Sequence, residues 1–383
     1  MAEHKPVKPE ALAAAAAVAL DQQVVVPGIF RRESFDQFRG VKNDTVNVRV
    51  EGVLPYRSYG WRADRSQDVQ FDEYAERTVA VSFGNDIYSG VLLTDEQYEM
   101  DFDGWTKLAL KQTDALGRGM NDKCIDALVN APYEIELKLD SLNLRKSLIR
   151  ARGVMNRLRV PEGARTMLVG TDIEALLLED DKLNLASNVG EGEAVSALRE
   201  ATLGRRYGFN FVVAQELAPN VAIAMVDSAF VIATGAPSVP QSVGFGASAS
   251  SNGWSLRWIR DYDPLKFRDR SIFNTYFGTR HVPDILIGKD AQGQSFVSDY
   301  EHFVRAIKLT LDGTDVLPDP DGDDERNTEL GNITGIWGVS NSTASGDAAT
   351  VQTSTVRDSS GALVNPVSDN TVGNRRGKAK NEA

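Results

Sequence analysis

GWSLRWIRDYDPLKFRDRSIFNTYFGTR, residues 253–280, sets two tryptophans, five arginines, one lysine and three aspartates between two alternating stretches. Alternation puts Trp254, Leu256 and Trp258 on one face of a strand and Ser255, Arg257 and Ile259 on the other. Two buried indoles contribute roughly 4–6 kcal/mol each before entropy, from ~150–250 Å² at ~25 cal/mol/Å². They anchor the ribbon to a body. DYDP (261–264) reads as the turn and Ser271–Phe277 as the returning strand. Charges of both signs gather at the far end. Exposed ion pairs add only ~0–1 kcal/mol each to folding, and act more on the choice of partner and on register between chains. Arg257, Arg260, Asp261, Asp263, Arg268, Asp269 and Arg270 are therefore candidate contacts between chains.

A second stretch tells the same story. Thr45–Val50 (TVNVRV) alternates strictly, and Thr78–Phe83 (TVAVSF) alternates again. Between them lies a long segment rich in Tyr, Trp, Arg and Asp with no helical period. The pattern predicts a β-hairpin that projects from the body. Loops this long without structure of their own are usually functional. Aromatics and arginine are enriched at interfaces, which makes Tyr56, Arg57, Tyr59, Trp61, Arg62 and Arg65 further interface candidates.

The remaining chain supplies a body. Asp101–Asn130 is the strongest helix, with Trp105, Leu108, Ala109, Leu116, Met120, Cys124, Ala127 and Leu128 on one stripe. Trp105 joins Trp254 and Trp258 as a structural anchor. Gly117 and Gly119 weaken the helix by ~1 kcal/mol each, so either a neighbour packs closely there or the helix bends. Ser141–Arg157 is a second helix, capped by Asp140, with a basic outer face (Arg145, Lys146, Arg150, Arg152). From Val160 to Thr234 the pattern turns α/β: ARTMLVG, FNFVVAQEL and NVAIAMVDSAFVIAT read as strands. TDIEALLL reads as a helix capped by Thr171 or Asp172, and Ala194–Gly204 as another helix. DILIG is a short strand, while Tyr300–Leu311 fits helix or strand equally. Residues 1–40 read as an arm without a core of its own, beginning with an alanine-rich helix near Pro9, so the arm is expected to lie on something else. After Leu311 an acidic linker leads to a polar tail, either a small β appendage or disorder.

Composition narrows the function. The chain has 383 residues, 42% hydrophobic and 25% charged, with a net charge of −12. Such acidity argues against a dedicated nucleic-acid binder, whose affinity comes from neutralised phosphates. The single cysteine, Cys124, excludes an intrachain disulfide. No apolar run approaches the ~20 residues of a membrane span. Only His4, His281 and His302 exist, and no GxSxG elbow or paired Cys and His pattern accompanies them. The Asp319, Asp321, Asp323 spacing imitates a calcium loop but carries Asp324 at position six and Leu330 at position twelve. Glu191 and Glu193 interleave Gly190 and Gly192, which opposes a phosphate loop. No catalytic residue, metal site or cofactor is expected.

The order of these elements resembles the major capsid protein of tailed double-stranded DNA bacteriophages, the Hong Kong 97 capsid fold. The stretches that carry the resemblance are GVKNDTVNVRVEG, TDEQYEMDFDGWTKLALKQTDALGRGMNDKCIDALV, VPEGARTMLVGTDIEALLL, LREATLGRRYGFNFVVAQEL, and GWSLRWIRDYDP with SIFNTYFGTRHV. The resemblance implies an α+β fold with an N-terminal arm (1–43) and an extended β-hairpin loop (44–100). A peripheral domain with the spine helix and second helix (101–159) and an axial α/β domain (160–236) follow. Return strands (237–311) and an acidic linker with a polar appendage (312–383) complete it. It implies a non-enzymatic shell subunit that forms hexamers and pentamers and closes into an icosahedral head around packaged DNA, bound without sequence specificity. Arm and hairpin would reach over neighbouring subunits. The implied partners are a separate scaffolding protein, a portal and, optionally, a decoration protein, with assembly in the host cytoplasm and no membrane. Some relatives lock their shells through a hairpin lysine, but no lysine lies between Lys42 and Lys107 here. The expectation is a non-covalent shell, closed by many weak contacts. The alternatives are another virion or tail structural protein, or an α/β enzyme with an unrecognised site.

Overall fold

A computed structural model describes residues 9–34, 45–50, 52–57, 61, 68–69, 71, 77–100, 104–180, 204–289, 295–319, 323–336, 356–357 and 363–364. In chain order the elements begin with α1 (Pro9–Gln23), β1 (Arg31–Ser34), β2 (Thr45–Val50), β3 (Arg77–Ser82) and β4 (Asn85–Thr94). Next come α2 (Asp95–Met100), α3 (Trp105–Val129), β5 (Glu136–Leu139), α4 (Leu144–Arg157), β6 (Arg165–Val169) and α5 (Thr171–Glu179). Then follow β7 (Arg205–Arg206), β8 (Phe209–Val213), β9 (Val221–Val226), β10 (Phe230–Gly235), β11 (Phe245–Ser251), β12 (Trp254–Asp263) and β13 (Arg268–His281). β14 (Ile287–Lys289), β15 (Ser295–Val297), β16 (Ala306–Leu311) and α6 (Glu325–Thr334) complete the series. The chain divides into two compact units: 1–52 with 73–284 and 301–316, and 53–72 with 285–300 and 317–383.

The first unit holds two six-stranded sheets. One runs β1-β10-β13-β12-β11, with β4 on the other side of β13. The ribbon 253–280 is its centre: β13 pairs antiparallel with β12, β10 and β4. α3 packs on β13 and β4. Its buried face holds Ala109, Leu116, Met120, Cys124 and Leu128, as the stripe required, but also Gln112, Thr113 and Asn121. Gly119 resolves the choice left open by the two glycines. A Cβ there would stand 2.9 Å from Ile87 of β4, so the strand approaches the helix closely.

The second sheet runs β5-β16-β9-β6-β8-β7. The segment NVAIAMVDSAFVIAT serves both sheets: β9 lies in the second and β10 in the first, with a 3-10 turn at Asp227–Ala229 between them. A polar joint ties the crossings. The Arg305 guanidinium holds the Asp284 carboxylate at 2.6 Å through two nitrogens and donates to the Ser228 carbonyl at 3.0 Å. Glu134, just ahead of β5, accepts from the Phe303 amide at 2.9 Å and faces Nδ1 of buried His302 at 2.8 Å.

Several expectations are corrected. The arm's described part does not leave the body. α1 lies on β11, β12 and α3 of its own chain. Its alanines make this possible: Ala13, Ala16 and Ala17 are buried with Leu12 and Leu20, and small side chains let a helix sit close to a sheet. Asp21 fastens its end, accepting from Asn252 Nδ2 at 2.7 Å, Trp254 Nε1 at 2.9 Å and Arg32 Nη1 at 3.3 Å. β1 then adds parallel to β10. Asp140 is not the cap of α4. Asn143 precedes the helix, and Asp140 instead accepts from the Leu142 amide in the turn before it. Gly170, not Thr171 or Asp172, precedes α5. The ribbon turns at 264–267 rather than at DYDP, because Asp261 and Asp263 stay in the ladder opposite Arg270 and Arg268. Tyr300–Leu311 yields the strand β16. The helix expected at Ala194–Gly204 lies almost wholly outside the described residues, as does the start of the one expected at Asp101–Asn130, whose described part is Trp105–Val129.

In the second unit, β14 and β15 pair antiparallel and α6 packs on β14. Asp324, position six of the calcium-like spacing, caps α6 through the Arg326 amide at 3.1 Å. Val356–Arg357 pairs with Leu363–Val364.

Candidate assembly interface

The ribbon is rooted as its sequence required. Trp254, Leu256 and Trp258 are buried. Trp258 stacks on Phe273 with centroids 5.8 Å apart and meets the edge of Phe245 at 5.4 Å. Its indole donates to Ser271 Oγ at 2.9 Å, and Ser271 in turn donates to Gln112 Oε1 at 2.9 Å. Gln112 Nε2 donates to the Ser89 and Ser271 carbonyls, both at 3.0 Å. One buried chain of hydrogen bonds thus joins α3, β4, β12 and β13. Trp105 stands at its edge, 6.5 Å from Trp258.

The charges pair across the ribbon. Arg260 reaches Asp269 at 2.5 Å, Arg268 reaches Asp263 at 3.6 Å, and Arg270 pairs with Asp261. Arg260 also lies over the rings of Trp105 (4.1 Å), Tyr98 (5.7 Å) and Phe245 (5.9 Å), so it stiffens the strip from within. Arg257 donates to Asn274 and to the Ser238 carbonyl, both at 2.9 Å. These partners fix the register of β12 on β13 within one chain.

Besides Asp261 and Lys266, the strip exposes two large apolar side chains. Leu265 is 90% exposed and Phe267 69% exposed in the turn, with Phe267 at φ 46°. Tyr262 stands beside them, and its hydroxyl donates to Asp95 at 2.9 Å. That bond to a carboxylate raises the Tyr262 pKa above its ordinary value. Leu265 and Phe267 are not among the charged candidates that the sequence pattern singles out. The available signal was two large apolar side chains alternating with Pro264 and Lys266 in the turn.

The hairpin stem forms as expected, with Thr45 opposite Ser82 and Val50 opposite Arg77. Val48 and Val81 pack against Val231, Ala233 and Val282. In the other unit, Tyr56 and Arg57 are exposed and Trp61 is 92% exposed. Lys289 Nζ lies 5.5 Å from the Tyr56 ring centre. Val69 and Phe71, which the sequence reading did not single out, are exposed too. Tyr59, Arg62 and Arg65 lie outside the described residues. Large aromatic surface facing water is characteristic of a site that binds another protein.

Among the described residues, no three His, Cys, Asp or Glu side chains form a metal-ligating group, and no helix is long and apolar enough to cross a membrane. Cys124 is buried, which pushes its thiol pKa up.

A sheet crossed by one long helix, a second mixed sheet, and an aromatic loop between paired strands define the Hong Kong 97-type capsid fold. A structure from Mycobacterium phage Che8 matches with a TM-score of 0.52 at 16% identity, over 75% of this chain and 90% of that one. The capsid structure of the cyanophage P-SCSP1u matches with a TM-score of 0.51 at 11% identity, over 74% and 90%. The bacteriophage PhiM1 mature capsid matches with a TM-score of 0.50 at 11% identity, over 76% and 88%. These likenesses establish the fold. No curated protein sequence matches significantly. Residues 89–275, from within β4 to within β13, match the family of phage capsid proteins. The match and the shared fold support a structural capsid protein.

Proposed function

We propose that this chain is the repeating subunit of a tailed-phage head, assembling as hexamers and pentamers into an icosahedral shell around double-stranded DNA. The supporting observation is the span of the family match. It covers the spine helix α3 and most of the ribbon that the helix packs on. The shell role is mechanical. The ribbon is made rigid by its buried tryptophans and its internal ion pairs, and presents Leu265 and Phe267 to a neighbouring copy. Tyr56, Arg57 and Trp61 give a second contact, to which Tyr59, Arg62 and Arg65 belong by sequence. A cross-strand charge ladder holds the ribbon in register, and many weak contacts sum around each capsomer. The chain performs no catalysis and needs no cofactor. It assembles in the host cytoplasm with a scaffolding protein and a portal, with a decoration protein as an optional outer partner.

Expression of the full chain with and without the scaffolding protein of the same phage, followed by sedimentation and negative-stain microscopy, tests this. Closed shells are expected. Open tubes would assign the chain to a tail, and a ligand-binding monomer that never assembles would overturn the structural reading.

A further inference from the structure

Residues 141–161 carry six cations, Arg145, Lys146, Arg150, Arg152, Arg157 and Arg159, and not one Asp or Glu, in a chain of net charge −12. α4 separates them cleanly. Leu144, Ser147, Leu148, Ala151, Val154 and Met155 are buried. At 3.6 residues per turn the five helical cations share the opposite half of the surface. Arg145, Lys146, Arg157 and Arg159 are exposed. Arg150 is paired with Asp315 at 2.8 Å, and Arg152 reaches Glu162 at 3.6 Å. The β7–β8 turn borders this face. The Arg152 side chain lies against Gly208, Tyr207 senses the charges of Arg145, Arg206 and Asp180, and exposed Arg205 donates to the Glu162 carbonyl at 3.1 Å. Among the described residues, the carboxylates placed at this face are Asp315, Glu162, Asp180 and Glu179, the last two lining a pocket with Arg145 and Lys146, against six cations on α4 and its end.

Folding does not call for this arrangement. The apolar half of α4 forms the core contact, and like charges four apart, as at Lys146 and Arg150, cost a helix about 0.2–0.5 kcal/mol. Mixed signs would serve solubility equally well. Five of the six cations are arginine, whose planar fork suits phosphate oxygens. Arg145 and Arg157 stand twelve residues apart, roughly 18 Å along the helix at ~1.5 Å per residue. A duplex carries one charge per ~1.7 Å of axis. We infer that the outer face of α4 contacts the phosphate backbone of the enclosed nucleic acid, without reading sequence. This rests on the proposed shell function and assigns the surface of the subunit that meets the DNA. Net acidity elsewhere keeps the contact weak and local.

The test is fluorescence anisotropy of the unassembled full chain with a labelled 20-base-pair duplex, between 50 and 200 mM salt. Four neutralised phosphates lower affinity about 150-fold over that range, and two lower it about 12-fold, from a slope of ~−0.9 per contact. Arg145→Gln with Lys146→Gln should move the chain from the steeper dependence toward the shallower one. Lys111→Gln with Lys123→Gln removes equal charge from α3 and should leave it unchanged. Absence of wild-type binding at 50 mM salt, or equal salt dependence in both variants, would overturn the inference. So would polyglutamate displacing the duplex at lower charge concentration than unlabelled duplex, which would assign the face to an acidic protein. Imaging the same preparations separates the two claims. Shells with unaltered salt dependence remove only the DNA face, while absence of shells removes the shell reading itself.

Discussion

Replacing Gln112 by leucine keeps the side chain's size but cuts the hydrogen-bond chain that fastens α3 to the sheet. The side chain is 1% exposed, so water cannot substitute. Two amide bonds to the Ser89 and Ser271 carbonyls disappear, each worth about 0.5–1.5 kcal/mol. The Ser271 hydroxyl loses its acceptor, and a buried orphan donor costs about 1–3 kcal/mol. Gln112→Leu should therefore destabilise the unassembled chain by about 2–6 kcal/mol. Ser271→Ala deprives the Trp258 indole of its acceptor and Gln112 Oε1 of its donor, for about 2–4 kcal/mol. In the double variant the orphaned hydroxyl no longer exists, so the two losses overlap by about 1–2 kcal/mol. Denaturant unfolding followed by tryptophan emission measures all four corners of this cycle. Strict additivity, or a neutral Gln112→Leu, would refute the claim that the three side chains act as one unit.

Other consequences follow from single residues. The Asp21 carboxyl has its pKa lowered from 3.8, chiefly by the hydrogen bond from Asn252, against the opposing effect of burial and with further help from Trp254 and Arg32. A depressed folded value means that its stabilisation is complete above the ordinary value and is lost as pH falls through the depressed one. α1 should accordingly become protease-sensitive in that acid window, and Asp21→Asn should bring the sensitivity to neutral pH. Gly278→Ala would drive a Cβ onto the Ser82 carbonyl oxygen, a backbone atom that cannot swing away. A loss of more than about 2 kcal/mol is expected, at the upper end for a single substitution, and unchanged thermal unfolding would contradict the close crossing. Leu265→Asp with Phe267→Asp should leave monomer stability within about 0.5 kcal/mol, as for surface substitutions generally, yet abolish shell closure in sedimentation. Boiled particles should run as a single band near the monomer mass of 41.8 kDa; a ladder of linked species would contradict a non-covalent shell.

The parts of this fold that sequence reveals are those where one physical pattern dominates. TVNVRV and the Trp254–Trp258 alternation placed their strands because each has one buried face. The stripe on α3 placed the spine helix, but Gln112, Thr113 and Asn121 stayed hidden. Polar residues interrupt an apolar stripe, and their buried partners come from β4 and β13, far away in sequence. β4 itself escaped notice because Asn85–Thr94 alternates only between exposed and half-buried positions. In NVAIAMVDSAFVIAT, Asp227 and Ser228 mark a break between two apolar halves, but nothing local shows that the halves enter different sheets. The arm was misjudged for a related reason. Alanine is too weakly hydrophobic to advertise a core contact, and what holds α1 is the fit of small side chains together with one aspartate. At the interface, ion-pair partners were legible as mixed charge, whereas the outward role of Leu265 and Phe267 emerged only once the turn moved from DYDP to 264–267.

A cryo-electron-microscopy reconstruction of the assembled particle, at a resolution that shows side chains, reaches the central claim most directly. The account predicts a closed icosahedral shell in which Leu265, Phe267 and Trp61 of every subunit are covered by a neighbouring copy, while α1 stays on its own sheet. Particles whose ribbon tips and aromatic loops face open solvent would contradict it.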